Sequence, residues 1–436
     1  MADGPIAIVR ARAEAARIDP ARLPGMRRRM TWTLFAIAAL GSTGYIAAIT
    51  VGTLVAADIR GDATLGGVPT AAATVGTATA ATVLSALMLR IGRRAGLLLG
   101  LTVGAIGAVV AVGAVIAGSI VLLLVASALT GVANGVGNLG RHVAADLVPA
   151  DRRATAIGTV VWGSTIGAVA GPNLVAPAGE VARSLGLPAL AGAYVLTVGF
   201  LGLALLLGTI LLRPEPYVLA DPEALAALPD DAPPAPATRT VLRRPTVLVA
   251  LVTLVIGQVV MVLIMTMTPI HLIDHGHGLA TVGFVLSAHT FGMFALSPIS
   301  GRLTDRFGSP RVIGAGLLTL AAAAILAAVA PPDGGALLTL ALFLLGYGWN
   351  LGFVAGSTLL TAGLALAERT RVQGMSDGLV WGSGAVASLS SGLVVAGLSY
   401  TALGFLGLAC TAIAAAFLLR LRHVARRPAA AENPLP

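Results

Sequence analysis

Gly301-Arg302-Leu303-Thr304-Asp305-Arg306-Phe307-Gly308-Ser309-Pro310-Arg311 is a short charged run set between two long apolar ones, residues 279–300 and 311–330. Each flanking run is long enough to cross roughly 30 Å of hydrocarbon as a helix, so the charged stretch reads as a tight turn at one face of a bilayer. The same alternation extends to both ends of the chain. Twelve apolar spans cover 33–57, 66–88, 96–117, 119–140, 154–176, 188–212, 246–270, 279–300, 311–330, 335–364, 375–398 and 400–420. Hydrophobic residues make up 57% of the 436, charged residues only 11%, and the mean hydropathy is +0.92, so much of the surface must face lipid rather than water. The 54 glycines suit helices that approach closely in a membrane. The expected fold class is an all-α integral membrane protein with twelve transmembrane helices.

Every basic residue is Arg, and the arginines sit in short clusters between spans. That pattern marks topology, not a nucleic-acid face, so no nucleic-acid partner is expected despite the net charge of +9. Of the 28 arginines, all but Arg60 and Arg183 fall on one side once the N-terminus is placed in the cytoplasm. The positive-inside rule then predicts a multi-pass protein of a bacterial cytoplasmic (inner) membrane with both termini cytoplasmic. Seven prolines and several acids, among them Asp230 and Asp231, break the apolar pattern between Arg213 and Arg244, which reads as a linker. The expected organisation is a cytoplasmic N-terminal tail (1–30), a six-helix half (31–212), a cytoplasmic linker (213–244), a second six-helix half (245–422) and a cytoplasmic tail (423–436). Val161-Trp162-Gly163-Ser164 recurs as Val380-Trp381-Gly382-Ser383, placing one motif on equivalent spans of two halves. The single cysteine, Cys410, rules out a disulfide framework. No nucleophile arrangement, phosphate loop or closed metal site points to an enzyme, and no permanently bound cofactor is expected.

The Gly301–Arg311 turn closely resembles the signature loop of the major facilitator superfamily, and the resemblance covers nearly the whole chain. It implies two six-helix halves and a conformational latch at Asp305 and Arg306, with the carboxylate facing the N-terminus of the fifth helix near Arg152 and Arg153. The cognate loop of the first half, Ser85 to Arg94, keeps its basic residues but has Leu89 where the family carries Asp, so the latch is expected to be one-sided. Gly167-Ala168-Val169-Ala170-Gly171-Pro172 is a weaker likeness, to the glycine-proline motif of antiporters, and reads equally as a kink.

Substrate must be read from residues inside the spans. Met261 and Met265 on span seven and His289 and Met293 on span eight are two i,i+4 pairs, each on one helical face. Met261 and His289 both fall about 14 Å below the outer surface. Thioethers with imidazole suit Cu(I) and bind it without deprotonation. Methionine is also ordinary packing filler, and a midplane imidazole serves equally as a proton relay or an interhelical hydrogen bond. The arrangement resembles the CcoA-like (CalT) copper importers, which carry MxxxM and HxxxM pairs on helices seven and eight. That resemblance implies copper as the transported substrate, Met261, Met265, His289 and Met293 as its ligands, and downstream copper chaperones as partners besides the lipid bilayer.

His271, His275 and His277 read either as a solvated outer loop or as entrance ligands for a metal. Tyr45, Asn134, Asn138, Gln258, Trp349 and Asn350 either line a cavity between the halves or bond between helices. All nineteen acids are placed outside the deep parts of spans, with Asp377 at the inner start of span eleven. The expected function is copper import by alternating access. The alternative is an organic-solute carrier of the same superfamily, a riboflavin-type importer or a drug exporter, which a cavity lined by aromatics would favour.

Overall fold

The computed structural model describes residues 14, 18–60, 67–220, 238–331 and 335–426. Most of the N-terminal tail, the middle of the linker with Asp230 and Asp231, and the end of the C-terminal tail lie outside the described residues. Among the described residues the regular elements are all helical, and twelve helices are long and apolar enough to cross a membrane. We number them α1 (Leu23–Arg60), α2 (Val68–Ile91), α3 (Arg93–Ala117), α4 (Ile120–Asp146), α5 (Arg153–Asn173), α6 (Gly192–Leu211), α7 (Pro245–Asp274), α8 (Leu279–Phe294, resuming as Ser297–Phe307), α9 (Ser309–Val329), α10 (Gly335–Leu360), α11 (Leu366–Gly397) and α12 (Tyr400–Arg426). A short helix, Val175–Ser184, follows α5.

The two halves repeat one packing plan. In the first, α3 packs on α4 and α6, α2 on α4, and α1 on α5 and α6; in the second, α9 packs on α10 and α12, α8 on α10, and α7 on α11 and α12. The first half encloses an apolar core of its own, and that of the second half runs on across the seam to Ala154, Ile157 and Val161 of α5; large apolar side chains such as Leu318, Leu389 and Leu393 point outward, where acyl chains take the place of water.

The charged turns are built alike in both halves. Gly92 and Gly308 have φ of 92° and 82°, a region that side chains with a Cβ rarely enter, and each ends one helix while starting the next. Helix α8 is interrupted at Ala295 and Leu296, just ahead of Pro298, whose ring removes a backbone donor. Asn350 of α10 repairs the break: its Nδ2 donates to the Met293 carbonyl at 2.6 Å and to Ser297 Oγ at 2.7 Å, and Ser300 Oγ donates to its Oδ1 at 2.5 Å.

The halves meet through α2 against α11 and α5 against the second segment of α8, at the end that carries the arginine clusters. The contact is backbone-close. A Cβ on Gly301 would lie 2.6 Å from the Ala154 carbonyl oxygen, and one on Gly374 would lie 2.5 Å from that of Ala81.

Candidate functional site

A cavity of about 260 Å³ lies between the halves, walled by α1, α4 and α5 on one side and α7, α8, α10 and α11 on the other. Tyr45, Phe294, Trp349, Phe353 and Trp381 give it five aromatic faces. Trp349 and Phe353 stack at 4.4 Å with planes 17° apart, and Phe294 stands edge-on to Trp349 at 6.1 Å. The indole Nε1 of Trp349 donates to Gln258 Oε1 at 2.9 Å, fixing that amide at the wall. Asn134 and Asn138 also line the cavity; Asn134 Nδ2 donates to Thr77 Oγ1 at 3.3 Å. The repeated tetrapeptide contributes unequally. Val161, Ser164 and Trp381 reach the cavity, while Trp162 is 40% exposed and packs on Phe35.

Of the residues singled out for metal transport, Met261, Met265 and Met293 line this one cavity. His289 does not join them. It is 1% exposed, and its Nδ1 bonds the Leu342 carbonyl of α10 at 2.9 Å, the interhelical hydrogen bond that was one reading of a midplane imidazole. Asn350 likewise sits behind the wall, where it pins the α8 break. Near the far end of α7, His271 stacks on Tyr400 at 4.1 Å, and His275 Nδ1 lies 2.7 Å from the His271 carbonyl. Among the described residues no three His, Cys, Asp or Glu side chains gather as a metal site.

At the Arg-rich end, Asp305 spans the halves. Its Oδ1 accepts from the Ala154 N–H at 3.0 Å and its Oδ2 from the Thr155 N–H at 2.9 Å, in the first turn of α5, where helix amides favour an anion. Arg306 turns away, exposed, its guanidinium 5.3 Å from the Phe307 ring. On the opposite interface Leu89 packs with Leu366, Ala367 and Tyr217 in an apolar seal.

Tyr217 belongs to the linker, and its placement is not evident from the sequence. The segment Pro216–Leu219 forms a 3-10 turn whose four side chains are buried. Tyr217 Oη and Thr370 Oγ1 are 3.0 Å apart, joining the linker to α11. Just before it, Glu215 Oε1 accepts from the Arg93 N–H at 2.6 Å, and its carboxylate caps the start of α3. Burial pushes the Glu215 carboxyl above its ordinary range, against the lowering effect of the Arg93 and Arg94 amides. Arg27 holds the far side of this strap, donating to the Leu219 and Ala220 carbonyls at 2.9 and 3.2 Å.

Two buried ion pairs also escape the sequence reading. Arg93 Nη2 lies 2.6 Å from Asp146 Oδ2 and 2.8 Å from Gln373 Oε1 of α11. Arg141 Nη2 lies 2.6 Å from Asp377 Oδ1, with His142 Nε2 3.3 Å from Oδ2. Helix α11 begins at Leu366, so Asp377, at the start of the apolar span, lies about 16 Å, three turns, from the start of the helix itself. Arg141, assigned by sequence to a loop cluster, is within α4, 1% exposed, with its guanidinium 4.2 Å from the Phe353 ring. The available signal was the run Arg141-His142 followed by Asp146, three ionisable groups at one end of an apolar span.

The family model described as Major Facilitator Superfamily matches residues 31–288 and 271–436. The chain belongs to the major facilitator superfamily. Two transporters of Bacillus subtilis strain 168, both described as uncharacterized MFS-type transporters, are similar over most of their length. YdeG is 37% identical over 390 residues, 89% of this chain and 91% of YdeG, and YddS is 39% identical over 369 residues, 84% and 85%. The riboflavin transporter RfnT of Brucella anthropi is 30% identical over 354 residues, covering 81% of this chain and 86% of RfnT. Among solved structures, the human organic anion transporter MFSD10 matches with a TM-score of 0.68 at 18% identity, over 90% of this chain and 99% of that one. The Escherichia coli fucose:proton symporter FucP matches at 0.67 and 16%, over 88% and 98%. These structural likenesses carry the superfamily fold. The protein is a membrane transporter and not an enzyme.

Proposed function

We propose that this transporter carries a planar aromatic organic solute of the flavin type by alternating access. The observation that carries the reading is the cavity wall, where the Trp349–Phe353 stack, Tyr45 and Trp381 offer ring faces and Gln258, Asn134 and Asn138 offer amides to the rim of a heterocycle. Mostly apolar walls with a few placed polar groups are what small-molecule sites need. Similarity to RfnT points the same way. The arginine asymmetry supports a bacterial cytoplasmic membrane with both termini and the linker inside. The test is uptake of labelled riboflavin by a riboflavin auxotroph whose own importer is deleted. Expression of this chain is expected to restore uptake and Trp349→Ala to reduce it at least tenfold, about 1.4 kcal/mol of lost stacking. Absence of uptake by the wild-type chain would refute the flavin assignment.

A second reading, copper import, draws support from three thioethers on one cavity, Met261, Met265 and Met293, since soft sulfur ligands suit Cu(I). It predicts that the Met261→Leu, Met265→Leu double variant loses radioactive copper uptake at unchanged expression. Under the flavin reading that variant is nearly silent, because leucine conserves the packing volume.

A further inference from the structure

We propose that His271 and His275, at the end of α7 opposite the arginine clusters, form a surface site for a divalent transition-metal ion of the Zn(II) or Cu(II) kind. Neither uptake reading uses these side chains, and neither of them lines the cavity. The two residues are four apart, which puts both side chains on one face of the last turn, and their ring centroids are 4.3 Å apart. Each imidazole is prepared for a metal in its own way. His275 Nδ1 lies 2.7 Å from the His271 carbonyl oxygen. That oxygen can only accept, so Nδ1 carries the hydrogen and, in the neutral ring, Nε2 keeps its lone pair. A hydrogen bond from the far ring nitrogen to a backbone carbonyl is the contact that fixes tautomer and orientation in metal-binding histidines. His271 is held by stacking instead. Its ring lies 4.1 Å from that of Tyr400 with planes 12° apart, and Tyr400 is pinned in turn by Thr268, hydroxyl to hydroxyl at 2.8 Å. Among the described residues neither ring nitrogen of His271 has a hydrogen-bond partner.

The surroundings suit a cation. Imidazole nitrogens bind Zn(II) at about 2.0–2.1 Å and suit Cu(II) and Ni(II) as well. Both rings can be reached from outside, His275 being exposed and His271 half-buried. Asp274, exposed on the same turn, adds a negative charge. The competing cations Arg243 and Arg244 stand at the other end of the 30-residue helix, about 45 Å away. His277 does not join the pair: its Cε1 sits 3.4 Å from where a Cβ on Gly335 would lie, against the start of α10. Among the described residues no third His, Cys, Asp or Glu completes the set. Water therefore fills the remaining positions, and such an open coordination sphere lets the ion exchange with the medium.

The experiment uses the whole chain, purified without a histidine tag and with no transported solute present, so its outcome is separate from the flavin assignment and from copper uptake through the cavity. Zn(II) is titrated in competition with a chromophoric chelator, and one equivalent of Cu(II) is followed by electron paramagnetic resonance. The parent is expected to take one Zn(II) per chain, and its Cu(II) spectrum to show coupling to two imidazole nitrogens. His275→Ala should weaken Zn(II) binding at least about tenfold, since losing even the outer hydrogen-bond partner of a metal-binding histidine costs that much, and should leave Cu(II) with one imidazole. His271→Phe keeps a ring to stack on Tyr400 while removing both nitrogens, so it should have the same effect with the α7–α12 contact intact. His277→Ala and the Met261→Leu, Met265→Leu double variant should bind as the parent does. A parent that takes up no ion in a one-to-one ratio, parent-like affinity in folded His275→Ala or His271→Phe, or an equal loss in either control variant would overturn the proposal.

Discussion

Asp305→Asn tests how much one carboxylate contributes to the closed Arg-rich end. The native side chain accepts two α5 amides, at 3.0 and 2.9 Å. Hydrogen bonds to a charged group contribute about 1.5–3 kcal/mol each when well shielded, and the favourable field of a helix N-terminus adds about 0.3–1 kcal/mol. The asparagine oxygen can still accept one of the two bonds, while its NH2 group opposes the other amide. The loss is therefore one charged bond and the field term. Asp305 is only partly buried, so water recovers part of this, and we take about 1.4 kcal/mol, a tenfold shift toward opening. The assay places a Gly137→Cys reporter in a Cys410→Ala background, at a cavity-lining position where a Cβ meets nothing within 4 Å, and follows its labelling by an impermeant maleimide from the Arg-rich face at fixed pH, with the intrinsic affinity for solute measured in parallel. Labelling should rise about tenfold with affinity for the closed form unchanged. If Asp305→Asn labels within about twofold of the parent, the two amide bonds do not hold the ends together and the latch role fails.

Gly374→Ala pushes a methyl group into the Ala81 carbonyl at the α2–α11 contact, so it should favour the opened Arg-rich end as Asp305→Asn does; unchanged labelling would show that this seam yields without cost. His289→Leu deletes the second bond that the Leu342 carbonyl accepts besides its own helical one, for a loss of about 0.5–1.5 kcal/mol. It is expected to lower thermal stability while leaving solute affinity intact, and the reverse result would return the imidazole to the transport path. Docking of the Glu215 strap has a defined pH sign. The folded-state pKa of Glu215 is raised, so its contribution is fully present below the ordinary carboxylate pKa and is lost as the pH climbs through the raised value. Protease cutting of the linker should increase with pH in wild type and lose that dependence in Glu215→Gln.

The twelve spans were legible because length and apolarity alone decide what crosses a bilayer, and the charged turn was legible because Asp305 interrupts that pattern with its own chemistry. The i,i+4 spacing of His289 and Met293 established that the two share a face of α8, but not which neighbour that face addresses. Met293 reaches the cavity while the His289 ring bonds α10, a choice made by how α8 is rotated in the bundle. Arg141 and Asp377 were misplaced for a different reason. Hydropathy windows stop where charges begin, yet α4 continues to Asp146 and α11 starts at Leu366, so Arg141 was read as a loop residue and Asp377 as the edge of its span. Composition marked the linker as irregular, yet two of its described pieces are ordered as helical turns, Thr238–Leu242 and Pro216–Leu219, and in the second one tyrosine finds a pocket shared with α11.

That pocket bears on speed as well as balance. Tyr217 is fixed to the first half through the Glu215 and Arg27 contacts, and its ring is packed with Leu89, Leu366 and Ala367. Parting α2 from α11 therefore requires pulling a phenol out of its seat before any contact of the opened state has formed. Withdrawing a side chain of that size forfeits about 2 kcal/mol of apolar burial, and this falls on the path between the end states, where it acts as a barrier. Tyr217→Ala should then shorten the waiting time between conformations by more than it shifts their populations, which makes the segment joining the halves a brake on turnover rather than a passive tether.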